Sequence, residues 1–146
     1  MQQVGTLGAE EADVAVAAIR RELERRGKAA VIAIADRHGE LIALFRMDEV
    51  ALSSIAVATN KAFTAARLRR PSRQIGRNVR NADTGFDISY YGDPRYVGFG
   101  GGLPVLVGGT VVGAIGVSGL PEDEDEEIAA LGVAAILSLG DKAGRS

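Results

Sequence analysis

The chain has one histidine, His38, which lies in the sequence Asp36-Arg37-His38-Gly39. An imidazole changes its charge near neutral pH and also binds metal ions, so His38 could serve as a base or as a metal ligand. The residue types around it are typical of a hairpin turn, whose side chains usually point to water. His38 is therefore the candidate metal ligand, and a role in the turn alone is the alternative.

Three further residues could bind an acidic substrate or move a proton. Arg46 and Asp48 flank Met47 at the end of a predicted strand, where alternate residues share a face. They could orient a substrate carboxylate together, or they could form an ion pair that closes the strand end. Lys61 lies in an Ala-rich helix, where burial would favour its neutral amine and suit a base or a Schiff base. If exposed, Lys61 is an ordinary surface lysine.

Residues 84–102 have no clean period and hold six glycines and five of the seven aromatic residues. Segments of this length are usually functional or disordered, and the aromatic content favours order. The aromatic rings could wall a flat ligand, or they could pack on the sheet or against a neighbouring subunit. Backbone amides near Gly101 could form an anion-binding nest. Besides His38, the candidate binding residues are Tyr90, Tyr91, Phe99, Gly101 and Gly102.

Two charge runs have less specific interpretations. Six arginines lie between Arg67 and Arg80 with no acidic residue among them. They could bind RNA or phosphate, but a solvated helix face, or pairing with the acidic run Glu122–Glu127 across a subunit contact, is more common. The acidic run could hold a hard cation. Its position favours a simpler role at the positive end of the last helix.

Composition excludes several classes of protein. The 146 residues contain no cysteine, which excludes disulfides, thiolate metal sites and a cysteine nucleophile. One histidine excludes a multi-histidine metal site within one chain. The net charge of −2 gives no general attraction to nucleic acid or membranes. There is no signal peptide pattern and no apolar run near the ~20 residues of a membrane span. We expect one domain over residues 1–146, located in the cytoplasm, with neither nucleic acid nor membrane as partner.

Apolar periodicity predicts the elements that position these residues. A first helix is predicted over residues 10–26 and ends at Gly27. Two apolar runs, residues 29–35 and 41–45, predict strands on either side of the His38 turn. A helix from Ser53 or Ser54 to Arg69 and a short one over residues 72–81 follow, with these serines and Ser72 as expected caps.

The pair Gly108-Gly109 lies between two β-branched runs and predicts a tight hairpin, because its turn needs positive φ at both positions. Glycines 113, 116 and 119 in the second run indicate a bulge or close approach by another backbone or a ligand. We therefore expect this hairpin to be both core and a candidate pocket floor. With a last helix after the acidic run, the order is α-β-β-α-α-β-β-α in one mixed α/β domain.

Several motifs occur in a fixed order over nearly the whole chain. They are Ala35-Asp36-Arg37-His38-Gly39-Glu40-Leu41, Arg46-Met47-Asp48, Asn60-Lys61-Ala62-Phe63-Thr64-Ala65, Gly101-Gly102-Leu103-Pro104-Val105 and Gly113-Ala114-Ile115-Gly116-Val117-Ser118-Gly119, followed by Asp125-Glu126 and Ile128-Ala129. In this order they resemble the GlcG/HbpS-like proteins, also called the haem-degrading or DUF336 family. One departure is Phe63, where the family pattern often has threonine, and this change could reshape a pocket near Lys61.

The resemblance implies a profilin-like α+β fold, with a central antiparallel sheet of about five strands and helices on its faces. It also implies homo-oligomers with pockets near subunit interfaces, and haem as a ligand. His38 would then be the available axial ligand to the iron. The aromatic rings of residues 84–102 are compatible with a flat ligand of this kind.

We favour a cytoplasmic, oligomeric small-ligand-binding protein that binds haem or a related planar ligand, with a role in its degradation as an extension. The alternative is a cofactor-independent isomerase, lyase or cyclase for a small organic acid. In that hypothesis Arg46 binds the carboxylate and Asp48 or Lys61 moves a proton. The amides of Gly101 and Gly102 would stabilise negative charge. A third hypothesis is a structural or regulatory oligomer. Whether the chain is an enzyme is left open.

Overall fold

The computed structural model describes residues 1–143, and this part of the chain contains four α-helices and four β-strands. The predicted order of elements is confirmed, and a short 3₁₀ helix that was not predicted precedes the third strand. The elements are α1 (Ala9–Arg26), β1 (Val31–Asp36), β2 (Leu41–Arg46), α2 (Ser53–Leu68), α3 (Ser72–Val79), the 3₁₀ helix (Ile88–Tyr91), β3 (Gly102–Val107), β4 (Thr110–Ser118) and α4 (Glu122–Ala143).

The strands form one antiparallel sheet in the order β2-β1-β4-β3. The expected sheet of about five strands is wrong, since the described residues contribute four. The segment between α3 and β3 adds no strand because its backbone amides bond locally. The side chains of Asn81, Asp87 and Asp93 accept hydrogen bonds from amides two or three residues ahead. Such turns compete with strand pairing.

Helices cover both faces of the sheet, and β1 is buried between them. Ile32 and Ile34 pack into a cluster with apolar residues of α1 and α4. Val31, Ala33 and Ala35 point the other way, into a cluster with α2. A strand buried on both faces is continuously apolar, which is why residues 29–35 lack alternation. The molecule is therefore three layers thick, with α1 and α4 on one side and α2 on the other.

Glycines in β4 let α2 pack closely on the sheet. A Cβ at Gly116 would lie 2.1 Å from the carbonyl oxygen of Ala58 and 2.7 Å from the amide nitrogen of Ala62. The neighbouring backbone therefore fills the space that glycine leaves. This surface of β4 is covered by α2, so the expected pocket floor is not formed here.

Turn residues were predicted better than serine caps. Gly27 and the pair Gly108-Gly109 have positive φ, as expected of a helix end and a tight hairpin. The expected caps Ser53, Ser54 and Ser72 are wrong, because neither α2 nor α3 has a side-chain hydrogen bond at its N-cap position. These serines lie inside the helices. The hydroxyl of Ser54 bonds that of Ser118. The hydroxyl of Ser72 donates to the carbonyl oxygen of Phe99 and accepts from the amide of Gly102 at the start of β3.

Candidate functional site

Two turns, the end of α2 and the N-terminal residues Gln2 and Val4 enclose the cleft that contains His38. The β1–β2 and β3–β4 turns lie at the same end of the sheet, because Asp36 pairs with Gly113 in antiparallel β1 and β4. The cleft between them has a volume of about 820 Å³. We call it the His38 cleft, and its lining includes Arg37, His38, Arg67, Arg69, Leu106 and Val111.

The turn that carries His38 is fixed by its own backbone. The Asp36 carboxylate accepts hydrogen bonds from the amides of His38 at 2.8 Å and Glu40 at 3.1 Å. Gly39 takes a left-handed φ of 88°. A Cβ at Gly39 would lie 3.1 Å from the Phe63 ring, so the turn also packs on α2. His38 is thus a turn residue with an exposed side chain, and it still lines the cleft.

The three cleft arginines have different surroundings. Arg67 donates from Nε to the carbonyl oxygen of His38 at 2.7 Å, and its guanidinium lies 3.5 Å from the Glu40 carboxylate. The same guanidinium lies 4.8 Å from the centre of the Phe63 ring. Within the described part of the chain, neither Arg37 nor Arg69 has a carboxylate within 4.0 Å. The cleft therefore keeps uncompensated positive charge.

The aromatic segment is ordered by packing on α2. Phe63 contacts Tyr96 with ring centres 5.0 Å apart, Tyr96 contacts Tyr91 at 5.0 Å, and Tyr91 contacts Phe86 at 5.5 Å. Arg95 covers Phe63 at 4.0 Å. Two alternatives were open for these rings, which could wall a ligand or pack within the protein. The ring contacts of Tyr91 agree with packing within the protein. The aromatic stack continues to Phe63, which lies beneath the His38 turn.

The predicted binding residues do not form one site. Tyr90, Tyr91, Phe99, Gly101 and Gly102 do not line the His38 cleft. Tyr90 is 81% exposed and Phe99 is 53% exposed. Gly101 immediately precedes β3 and Gly102 begins it, at the end of the sheet opposite the hairpin turn.

The amides on either side of Gly101 already donate to protein groups, which argues against the expected anion nest. Gly102 donates to the hydroxyl of Ser72 at 2.9 Å, and Gly100 donates to the carboxylate of Glu122 at 2.9 Å. A Cβ at Gly101 would lie 2.8 Å from Nζ of Lys61. Glycine is needed here for packing, and the acidic run supplies its own carboxylate to this loop.

Lys61 is buried and bonded within the protein. Its ammonium donates to the carbonyl oxygen of Val117 at 2.8 Å and to the Asp125 carboxylate at 3.0 Å, and the residue is 2% exposed. The other carboxylate oxygen of Asp125 accepts the amide of Leu120 at 3.0 Å. Burial raises the pKa of Asp125, and the Lys61 ammonium opposes that increase. The pair fixes the β4–α4 junction against α2.

Arg46 and Asp48 are exposed at the end of β2 and in the loop after it. They form no ion pair with each other, and the described residues offer them no other partner within 4.0 Å. A substrate held by these two surface residues would not reach the Lys61 ammonium unless the buried ion pair opened. The structure therefore does not assemble Arg46, Asp48 and Lys61 as one open site.

The acidic run pairs with cations of the same chain, and among the described residues Arg73 is the one member of the arginine run that bonds it. Arg73 bonds the carboxylates of Asp123 and Glu126 at 2.7 and 2.6 Å, and Arg26 and Lys28 both bond Glu124. These contacts connect α3 and the end of α1 to the start of α4. The described residues contain no cluster of three or more His, Asp or Glu suited to a metal ion, and none of their helices is long and apolar enough to cross a membrane.

Sequence reasoning found His38 but missed the residues that make its surroundings a cleft. Arg37 lies within the turn motif, Arg67 and Arg69 were assigned to a basic run, and Leu106 and Val111 to a hairpin. A signal was present in the two turn motifs. Antiparallel pairing of their strands places both turns at one sheet end, but strand order cannot be read from one sequence.

Comparisons with known proteins agree with this fold. The family model described as "Haem degrading protein HbpS-like" matches residues 7–134. Protein GlcG of Escherichia coli strain K12 is 36% identical over 112 residues, which cover 77% of this chain and 81% of GlcG. The crystal structure of Klebsiella pneumoniae ORFY is 31% identical with a TM-score of 0.88, covering 93% of this chain and 94% of ORFY. The protein in the crystal structure of the PduOC:heme complex is 25% identical with a TM-score of 0.82, covering 89% of this chain and 94% of that protein.

Proposed function

This chain belongs to the HbpS-like family of haem-degrading proteins, and on that premise we propose that it binds haem or a related planar tetrapyrrole in the His38 cleft. The observation that carries the proposal is the position of the chain's one imidazole in a cleft of about 820 Å³. Cavities that hold cofactors are typically about 300–1,000 Å³. The haem in the similar PduOC complex supports the same class of ligand.

The chemical groups of the cleft fit such a ligand. An imidazole nitrogen of His38 would hold the iron, since histidine is a common axial ligand of haem. The side chains of Leu106 and Val111 offer apolar surface to the macrocycle, and the arginines add positive charge. Bound haem would supply an iron centre for one-electron and oxygen chemistry. A role in haem degradation is part of the proposal, supported by the description of the family.

Assembly into a homo-oligomer is also part of the proposal. β3 is an edge strand with unpaired backbone on its outer side, and such edges are usually covered in native proteins. A second groove of about 630 Å³ lies beside it, with a lining that includes Leu103, Pro104, Leu106, Ala130 and Val133. This apolar groove and the open edge support contact with another copy of the chain.

The test is a titration of the purified protein with haemin, followed by visible absorption, for the wild type and His38→Asn. Asparagine keeps the polar turn chemistry but removes the imidazole. Asn78→Ala on the exposed surface of α3 is the control variant. We expect a saturable Soret shift at one haem per chain in the wild type and the control, and its loss or a wavelength change in His38→Asn.

Two results would contradict the proposal in different ways. Saturable binding that is the same in His38→Asn would remove His38 and its cleft from the assignment. No saturable shift in the wild type, with circular dichroism showing a folded protein, would remove haem itself as the ligand.

A further inference from the structure

We propose that Arg37 and Arg69 recognise two acidic groups on the ligand of the His38 cleft, so that the site selects a planar molecule carrying two free carboxylates. This inference rests on the proposed function, because it concerns the same cleft and the same class of ligand. It adds the contacts to the acidic groups of the ligand, which His38 and the apolar side chains do not provide.

The first step is the difference between Arg67 and its two neighbours. Arg67 is held by the His38 carbonyl oxygen and by Glu40, and it packs on Phe63. It therefore acts as a support for the His38 turn. Arg37 and Arg69 have no carboxylate within 4.0 Å in the described residues, although both line the cleft.

Other arginines of the described residues, such as Arg46, also lack a carboxylate within 4.0 Å, so the position of Arg37 and Arg69 in the cleft is what sets them apart. Arg26, Arg73 and Arg95 each bond two or more carboxylate oxygens of neighbouring elements. Glu40, near the cleft, pairs with Arg67 and Arg95. The fold thus neutralises some of its arginines, while the two that line the cleft beside Arg67 stay available for an external anion.

The backbone of Arg69 provides a second observation. Arg69 follows the last residue of α2 with a φ of 57°, in the left-handed region where helix ends usually have glycine. A side chain in this conformation is strained, and such strain is concentrated at functional positions. Arg69 lines both the His38 cleft and the adjacent groove, so the strained position sets an arginine where the two cavities meet.

The chemistry of guanidinium groups identifies the ligand's polar groups. Arginine presents a planar set of donors that binds a carboxylate through two parallel hydrogen bonds. Haem and its metal-free porphyrin both carry two propionate carboxylates on one edge of an apolar ring. Two arginines in a cleft that also contains His38 therefore match a ligand whose acidic groups and metal lie on one rigid body.

The test compares haemin with its dimethyl ester in one buffer with the same fraction of organic cosolvent. Wild type, Arg37→Gln, Arg69→Gln and the double variant are titrated, and Arg21→Gln, an exposed arginine of α1, is the control. We expect each cleft variant to bind haemin about tenfold more weakly, in line with lost charge-assisted hydrogen bonds. We expect the control to bind as the wild type, and the ester to bind weakly and equally to all variants.

Metal-free protoporphyrin and glutarate complete the experiment. Protoporphyrin keeps both carboxylates without iron, so its affinity should fall in the arginine variants and not in His38→Asn. Glutarate has two carboxylates and no ring, and we expect it not to displace haemin at equal concentration. Displacement by glutarate would overturn the assignment to a tetrapyrrole.

The outcomes separate this inference from the proposed function. Equal binding of haemin and its ester, or unchanged binding in the double variant, would overturn the role of the two arginines and leave haem binding intact. Failure of the wild type to bind haemin at all would overturn the proposed function, and binding of protoporphyrin would then be measured alone to judge the arginines.

Discussion

Lys61 shows how residue type and local sequence identify an unusual environment without identifying its purpose. The Ala-rich helix leaves open whether this lysine is buried or is an ordinary surface residue. In the structure the residue is 2% exposed. The sequence could not show that Asp125, which lies 64 positions away, supplies the counter-charge. A buried ammonium that already has two hydrogen-bond acceptors stabilises the fold, and it is not accessible to a substrate unless its ion pair opens. The position of this ammonium also explains why residue 101 is glycine, because a Cβ there would lie 2.8 Å from Nζ of Lys61.

Lys61→Met is expected to destabilise the protein strongly. It leaves the Asp125 carboxylate buried without its cation, and breaking such pairs from one side costs about 3–5 kcal/mol. Replacing both partners, as in Lys61→Met with Asp125→Leu, should recover much of that loss. Urea denaturation of the two variants and the wild type measures it. Equal stability of Lys61→Met and wild type would contradict the structural role.

The pH dependence of this loss follows from the Asp125 carboxylate. Burial raises its folded-state pKa above the ordinary value, and Lys61 opposes the rise. Without Lys61 the folded state holds the proton more tightly, so its stability is highest below the ordinary pKa of aspartate and falls as pH rises through the raised pKa. The gap between wild type and Lys61→Met should therefore widen from acidic to neutral pH. A difference in unfolding free energy that does not change with pH would mean that the loss comes from packing alone.

At the scale of elements, contact between α2 and β4 depends on the absence of side chains. Gly116→Ala would place its Cβ 2.1 Å from the Ala58 carbonyl oxygen, and rigid backbone must then move. We expect a loss of about 1–3 kcal/mol or more, as for overpacked cores. Gly140→Ala in α4 is the matched control, since nothing lies within 4 Å of its Cβ. That change should stabilise by about 0.5–1 kcal/mol. Thermal denaturation compares them, and equal effects would contradict the close contact.

The success of element prediction had a physical basis. Residues 9–26 have one apolar face, and Gly108-Gly109 needs positive φ. The first helix and the hairpin turn can therefore both be recognised from the local sequence. Serine caps failed because Ser54 and Ser72 bond partners from distant strands and loops. The expected order of residues 84–102 agrees with the structure, but their packing could not be predicted, since it depends on contact with Phe63 of α2. The cleft depends on strand order, which no local pattern contains.

At the scale of the molecule, the two ends of the sheet have different roles. One end is closed by the Lys61–Asp125 pair and by the bonds of Arg73 to α4. The other end carries two turns, unpaired arginines and the cleft. The proposed function therefore lies at the end that carries an open cleft, away from the buried ion pair. The edge strand β3 extends between these ends.

Ala130→Glu tests whether the groove beside β3 is an interface between copies. Ala130 is exposed on α4 and lines that groove. A buried carboxylate without a partner is unfavourable at an apolar contact, so we expect a smaller assembly at equal protein concentration. Light scattering after gel filtration measures the mass, and Ala56→Glu, exposed on α2, is the control. An unchanged mass would place the interface elsewhere or show a monomer.

The aromatic stack on α2 also makes the protein its own optical reporter. The chain has no tryptophan, and its three tyrosines, Tyr90, Tyr91 and Tyr96, all lie within seven consecutive positions. Intrinsic ultraviolet emission therefore comes from one short segment, which packs on Phe63 beneath the His38 turn. A chromophore bound in the cleft would quench that emission. Without any label, one spectrum can thus report on ligand binding and on the packing of this segment.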